Sequence, residues 1–324
     1  MDKQLKTKRT SSYSEAATLL REGRLVAFPT ETVFGLGADA TNAAAIERLF
    51  EAKVRPGDNP LIVHLGTVAD WPLAAAEMTP HAEALLAAFA PGPLTVVLPK
   101  HPSIASTVTA GLPTVGLRVP SHPTAAAILR EAGVPVAAPS ANRSGRPSCT
   151  RWESVLEDLD GRIDAVFCED ADGVGIESTV VDCTGEVPVV LRPGAVTLEA
   201  IRAIVPGARA AGETTSASDE VRSPGVLHPH YQPRAKVRLV DEPPSDNVIA
   251  PERTAYCGTV GNTWTSSLIH TATFATPDDY AAEFYEFLRE ADRKGAELIL
   301  VQRAEPVGIG EALLDRQRRA AGQS

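Results

Sequence analysis

Apolar residues fall into short runs along this chain, divided by polar stretches rich in glycine and proline and by segments of helical spacing. Ala16, Ala17, Leu19 and Leu20 predict a helix from Ser14 to about Glu22, with Ser14 as its cap and Gly23 as its stop. Arg24–Phe28 is apolar and bounded by Gly23 and Pro29, which predicts a buried strand. Its end delivers Pro29-Thr30-Glu31-Thr32-Val33-Phe34-Gly35-Leu36-Gly37, read as a loop able to approach a ligand closely because Gly35 and Gly37 carry no side chain. Asn42–Glu51 predicts a helix with Ala45, Ile46, Leu49 and Phe50 on its apolar face. Leu61-Ile62-Val63 then reads as a strand running into His64. A helix through Pro80–Phe89 and strands at Leu94–Leu98, Thr114–Pro120, Val134–Ala138 and Val189–Leu191 follow.

From Val205 to Ser223 the chain is poor in large apolar residues, which marks a linker. Beyond Ala235, strands Lys236–Val240, Thr254–Gly258 and Glu297–Gln302, a helix at Pro277–Lys294 and a basic helix at Gly310–Ala320 form a small α/β unit without a catalytic cluster. The expected fold class is therefore α/β, with a catalytic domain over 1–204, a linker over 205–235 and a second domain over 236–324.

Composition narrows the function. The 324 residues are 44% hydrophobic and only 5% aromatic, as expected of an Ala/Val/Leu-rich globular protein with a substantial core. A net charge of −10 argues against wholesale wrapping by nucleic acid but permits a small anion held by a few local cations. Cys149, Cys168, Cys183 and Cys257 show no close pairing, so neither a zinc knuckle nor a disulfide framework is signalled. No signal peptide or run of membrane-spanning length is evident, and a cytoplasmic location with no membrane partner is expected.

The chemistry concentrates in Ala52–His64. If extended, Lys53 and Arg55 share a face, and the Pro56-Gly57-Asp58 turn keeps a helix from separating them. Beside Asn59 and His64, two such cations suit a polyanion such as a nucleotide phosphate; a Lys/Arg pair on a solvated loop is the plain alternative. Arg118 sits in an otherwise apolar strand and needs a carboxylate, from the core or from a ligand. After the strand ending at Ala138, the run Pro139–Ser148 offers hydroxyl, amide and backbone donors where open α/β sheets hold ligands. Arg192 is a second arginine at a strand tip. Ser223–Tyr231 is rigid and carries His228 and His230, but further ligands for a metal are not supplied nearby. Gly35-Leu36-Gly37 is a weak dinucleotide signal, since Ala40 occupies the third glycine position, and a classical P-loop is absent.

Taken in order, PTETVFGLG, KVRPGDNPLIVH, VGLRVP, APSANRSGRPS, IESTVVD, LRPG and SPGVLHPHY make a set that resembles the threonylcarbamoyl-AMP synthases of the Sua5/YrdC family, in the long Sua5 form. The resemblance spans nearly the whole chain. It implies a YrdC-like twisted mixed sheet with helices, a linker and a small Rossmann-like C-terminal domain. It also implies conversion of ATP, L-threonine and bicarbonate, with Mg²⁺, to L-threonylcarbamoyladenylate and pyrophosphate, the first step of tRNA t6A modification, with the product passing to a downstream transferase machinery. The family pattern puts Thr32, His64, Arg118, Ala138 and Ser178 around threonine. It puts Arg55, Asn59, Thr114, Ser140, Ser148, Arg192 and Tyr231 around ATP, with Lys53, Arg55, Ser140 and Asn142 as the catalytic set at the phosphates. Ser223–Tyr231 would fold over the nucleotide as a lid. Two departures stand out: Phe34 replaces a usual tyrosine, and Cys149 replaces the common proline after Ser148. The competing expectation is an RNA-binding translation or regulatory factor that uses the same basic mouth without catalysis; the acidic balance disfavours it and predicts no stable nucleic-acid complex.

Overall fold

In the computed structural model, residues 6–213, 230–243, 250–260 and 268–323 are described. Among them, eleven strands form a mixed sheet and four form a second, wholly parallel sheet. From one edge, the larger sheet runs Lys8–Thr10, Ala165–Phe167, Val26–Phe28, Gly35–Asp39, Val136–Ala137, Ile62–His64, Thr114–Arg118, Leu94–Pro99, Thr179–Asp182, Val189–Arg192 and Arg209–Ala210. The smaller runs Lys236–Val240, Leu298–Gln302, Thr254–Gly258 and His270–Thr273.

Alternation along the strands divides the core. Ala27 faces the cluster that includes Ile46 and Leu49 of the helix Ala43–Lys53 and Leu85 of the helix Pro80–Phe89. Its neighbours Val26 and Phe28 face the other way, onto the helices Tyr13–Arg21 and Pro123–Ala132. On that second face, beyond the reach of those two helices, a small apolar cluster of Ile62, Val97, Val180 and Leu191 floors part of the sheet. In the smaller domain the helix Pro277–Arg293 brings Tyr280, Phe284 and Leu288 into a core with Ile299 and Leu313, and the same cluster takes in Val33 and Ile176 from the larger domain.

Several expectations change. The first helix starts earlier, at Tyr13, because the Ser12 side chain accepts the Glu15 amide at 3.3 Å; Ser14 lies inside it. Gly35-Leu36-Gly37 is strand, not loop: Val26–Phe28 pairs antiparallel with Gly35–Gly37. Of its two glycines, Gly37 serves packing. A Cβ on Gly37 would stand 2.7 Å from Phe28 and 3.0 Å from Val136. Gly37→Ala is therefore expected to lower unfolding stability by about 1–3 kcal/mol through overpacking, read as a lower urea midpoint at constant slope. Arg209–Ala210 pairs parallel with Val189–Val190, so the chain from Val205 onward first completes the large sheet before any linker begins. The strand His270–Thr273 and the helices Pro123–Ala132 and Trp152–Leu159 add to the elements expected from the apolar runs.

Candidate active site

A cavity open to solvent lies over the central strands. Strand register builds one end of it. Ile62–His64 runs parallel to Gly116–Arg118, which sets His64 directly beside Arg118 with both side chains on one face. Gly116 keeps that face low, since a Cβ there would meet Thr95 at 3.2 Å. Thr95 in turn holds the Ser178 hydroxyl at 2.8 Å. Thr32 sits in a tight buried turn, 2.8 Å from the Thr30 hydroxyl. Thr32, His64, Arg118, Ala138 and Ser178 all line this end.

Arg118 has its carboxylate within the protein, and it is Glu31 rather than a core aspartate: Nη2 lies 2.8 Å from Oε1. Both partners of this ion pair are buried. Burial raises the Glu31 carboxyl, but Arg118 outweighs it and holds the group below the ordinary carboxylate range. His64 is held neutral, lowered to about 3 by burial and then by Arg118. A guanidinium fixed beside a neutral imidazole at the cavity wall suits the carboxylate of a small ligand.

The other end is basic. Lys53 is the last residue of the helix Ala43–Lys53, not part of an extended segment, and the helix stops at left-handed Val54. The helix end itself, rather than alternation, turns Lys53 inward, where it is only 1% exposed. Its ammonium donates to the carbonyls of Ser140 and Asn142, and its own carbonyl accepts from the Ser144 amide at 2.9 Å. Burial, then the nearby Arg55, lowers Lys53 to about 7. Arg55, lowered to about 10 by burial, stays charged at neutral pH and reaches the carbonyls of Asn59 and Pro60 at 3.4 and 3.3 Å. Asn142 organises the loop between them, donating to the carbonyls of Arg143 and Arg146 and accepting from the Ser140 hydroxyl at 2.6 Å. Arg192 donates to the Ser178 carbonyl at 2.9 Å. Cys149 is buried, and burial pushes its thiol up to about 12, so it behaves as an apolar filler.

Lys53, Arg55, Ser140, Asn142, Arg192 and Tyr231 line this end. Three expected residues do not. Thr114 borders a smaller neighbouring pocket across Ile62. Asn59 is buried behind Arg55 with its Oδ1 unpartnered. Ser148 lies behind the wall and donates to Glu177 at 2.6 Å. Sequence reasoning passed over Glu31, Glu177, Ser144 and Arg146, which sit inside motifs singled out for other residues. It also weighed His230 only as a metal ligand. His230 lines the cavity, its Nε2 without a partner and its pKa lowered to about 3 by burial and then Arg55. His228, and the expected lid from Ser223 to Pro229, lie outside the described residues. Among the described residues, no group of three or more His, Cys, Asp or Glu side chains could hold a metal ion, and no helix is long and apolar enough to cross a membrane.

The Sua5/YciO/YrdC family model, described as telomere recombination, matches residues 18–194, and the model for the threonylcarbamoyl-AMP synthase C-terminal domain matches 196–322. The chain is 38% identical to the threonylcarbamoyl-AMP synthase of Bacillus subtilis, across 95% of this chain and 92% of that protein. It is 40% identical to the threonylcarbamoyl-AMP synthase of Pyrococcus abyssi, across 95% of this chain and 93% of that one. The crystal structure of P. abyssi Sua5 complexed with L-threonine superposes with a TM-score of 0.86 at 36% identity, covering 98% of this chain and 97% of the other. By the ordered motifs, by the fold and by both family models, this chain belongs to the Sua5/YrdC family of threonylcarbamoyl-AMP synthases.

Proposed function

We propose that this protein is a nucleotidyltransferase that makes L-threonylcarbamoyladenylate and pyrophosphate from L-threonine, bicarbonate and ATP, the first step toward t6A in tRNA. The observation that carries the reading is one cavity with two unlike ends: Arg118 and His64 at one, Lys53 and Arg55 at the other. The amino acid's carboxylate would rest on Arg118, and Thr32, Ser178 and Ala138 would frame its side chain. The triphosphate would lie along Lys53, Arg55 and the Ser140–Asn142 loop.

The chemistry needs positioning more than covalent help. Carbon dioxide from bicarbonate is captured by the threonine amine, giving a carbamate. A carbamate oxygen then bonds to the α-phosphorus of ATP as the bond to the bridging oxygen breaks and pyrophosphate departs with the electron pair. Two anions must meet, so fixed cations lower their repulsion and stabilise the leaving group. Mg²⁺ would be held by the triphosphate itself, since Glu177, the carboxylate among the described lining side chains, is already engaged by Ser148 and Arg316. The product passes to a transferase that places the threonylcarbamoyl group on tRNA. Reading the basic mouth as an RNA-holding surface finds less support: Lys53, Arg118 and Arg192 are buried in a cavity rather than arrayed outside.

Incubation with Mg-ATP, L-threonine and ¹³C-bicarbonate, followed by mass spectrometry, tests the proposal: a labelled adenylate that requires threonine is expected, and its absence would refute it. A proton count adds an independent check. Because Lys53 sits at about 7 in the free protein, at pH 8 it is mostly neutral, and the triphosphate's charge raises it again. Nucleotide binding at pH 8 should therefore take up close to one proton, and affinity should fall as pH climbs above about 7. Calorimetry in buffers of differing ionisation enthalpy reads this directly, with Lys53→Met losing the uptake.

A further inference from the structure

The smaller domain touches the nucleotide end through a buried polar knot. Arg316, on the helix Ile309–Ala320, has 0% exposure. Its Nε donates to Glu177 Oε2 at 3.0 Å and its Nη2 to the Pro193 carbonyl at 2.9 Å. The Tyr285 hydroxyl donates to the same Glu177 oxygen at 2.9 Å, while Glu177 Oε1 accepts from Ser148. The Tyr285 ring lies 5.1 Å from that of Tyr231, and the Arg316 guanidinium stands over Tyr231 at 5.9 Å. This closeness is built in. Gly175, at φ +74, admits the helix Pro277–Arg293 so tightly that a Cβ there would meet Ala282 at 2.2 Å.

Stability alone gives little reason for these polar groups. Apolar contact through Val33 and Ile176 already joins the domains, and a buried ion pair is often replaceable by packed apolar side chains without loss. Direction is what the knot supplies. It fixes the carboxylate that orients Ser148, the main chain directly after Arg192, and the ring of Tyr231.

We propose that Arg316 and Tyr285 are positioning residues for the nucleotide half of the site, so that the smaller domain sets ATP affinity although its strands and helices line none of the cavity among the described residues. The inference rests on the proposed function, in which ATP occupies that end.

The test uses the full chain with Tyr285→Phe, which keeps the ring, and Arg316→Lys, which keeps the charge but loses the two-directional fork. KM is measured separately for ATP and for threonine, together with the melting temperature. In both variants KM for ATP should rise by about fivefold or more while KM for threonine moves less than about twofold. Tyr285→Phe should melt within a few degrees of the unaltered protein. An unchanged KM for ATP in both variants, or equal rises for both substrates, would overturn the inference. Failure of the unaltered chain to form the adenylate would instead refute the proposed function.

Discussion

Lys53→Met should reduce pyrophosphate release by on the order of a hundredfold or more while the protein stays folded. The substitution keeps the length of the stem and deletes only the cation. Its effect on folding is the balance of two terms of opposite sign. Removing a buried ammonium relieves desolvation, whereas the Ser140 and Asn142 carbonyls lose a donor, at about 1–3 kcal/mol for each group left unsatisfied. Neither term dominates, so stability should change modestly. Catalysis has no such compensation. The negative charge that builds on departing pyrophosphate loses a fixed positive partner, and Arg55, held by two carbonyls of its own turn, cannot move into the gap. A pyrophosphate-coupled assay and a thermal melt on the same preparation separate the two effects. A variant that folds and releases pyrophosphate within about tenfold of the original rate would remove Lys53 from the chemistry.

Arg118 carries the second large effect, and here stability and function are entangled. Arg118→Gln strands the Glu31 carboxylate in a buried setting without its counter-charge, at an expected cost of about 3–5 kcal/mol. The double variant Arg118→Gln with Glu31→Gln removes both charges and should recover most of that stability. It should not recover threonine. Losing a charge-assisted contact to the amino acid's carboxylate is worth about 1.5–3 kcal/mol, which is a rise in threonine KM on the order of ten- to a hundredfold. The melting temperature of the double variant, set beside its KM for threonine, tells the roles apart. Recovery of both would mean that Arg118 serves the fold alone. Glu31→Gln by itself keeps the guanidinium in place and should leave threonine binding within a few-fold of the unaltered protein.

Much of this site was legible because it grows from strand tips. Short apolar runs that end in Ile62-Val63-His64, Gly116-Leu117-Arg118 and Val136-Ala137-Ala138 marked where polar side chains would gather; the parallel pair sets His64 beside Arg118, and the antiparallel third strand brings Ala138 beside Ile62. What stayed hidden depends on contacts between distant segments. Lys53 points inward because a helix continues to the end of its last turn, a detail decided by the left-handed Val54 rather than by the obvious Pro-Gly-Asp turn. The partner of Arg118 could be any carboxylate until the loop between Phe28 and Gly35 carried Glu31 across to it. Gly35 and Gly37 advertised a ligand loop; Gly35 does line the cavity, whereas the need Gly37 answers is room for Phe28 and Val136 across the strands. The smaller domain offered no motif at all. Arg316 and Tyr285 are a helical arginine and a helical tyrosine until the fold sets both on Glu177.

The measurement closest to the central claim is a crystal structure of the protein soaked with L-threonine and a non-hydrolysable ATP analogue together. The account predicts the threonine carboxylate on Arg118, the triphosphate between Lys53 and Arg55, and the amine facing the α-phosphorus within the same cavity. Threonine bound away from Arg118, or phosphates distant from both Lys53 and Arg55, would contradict it.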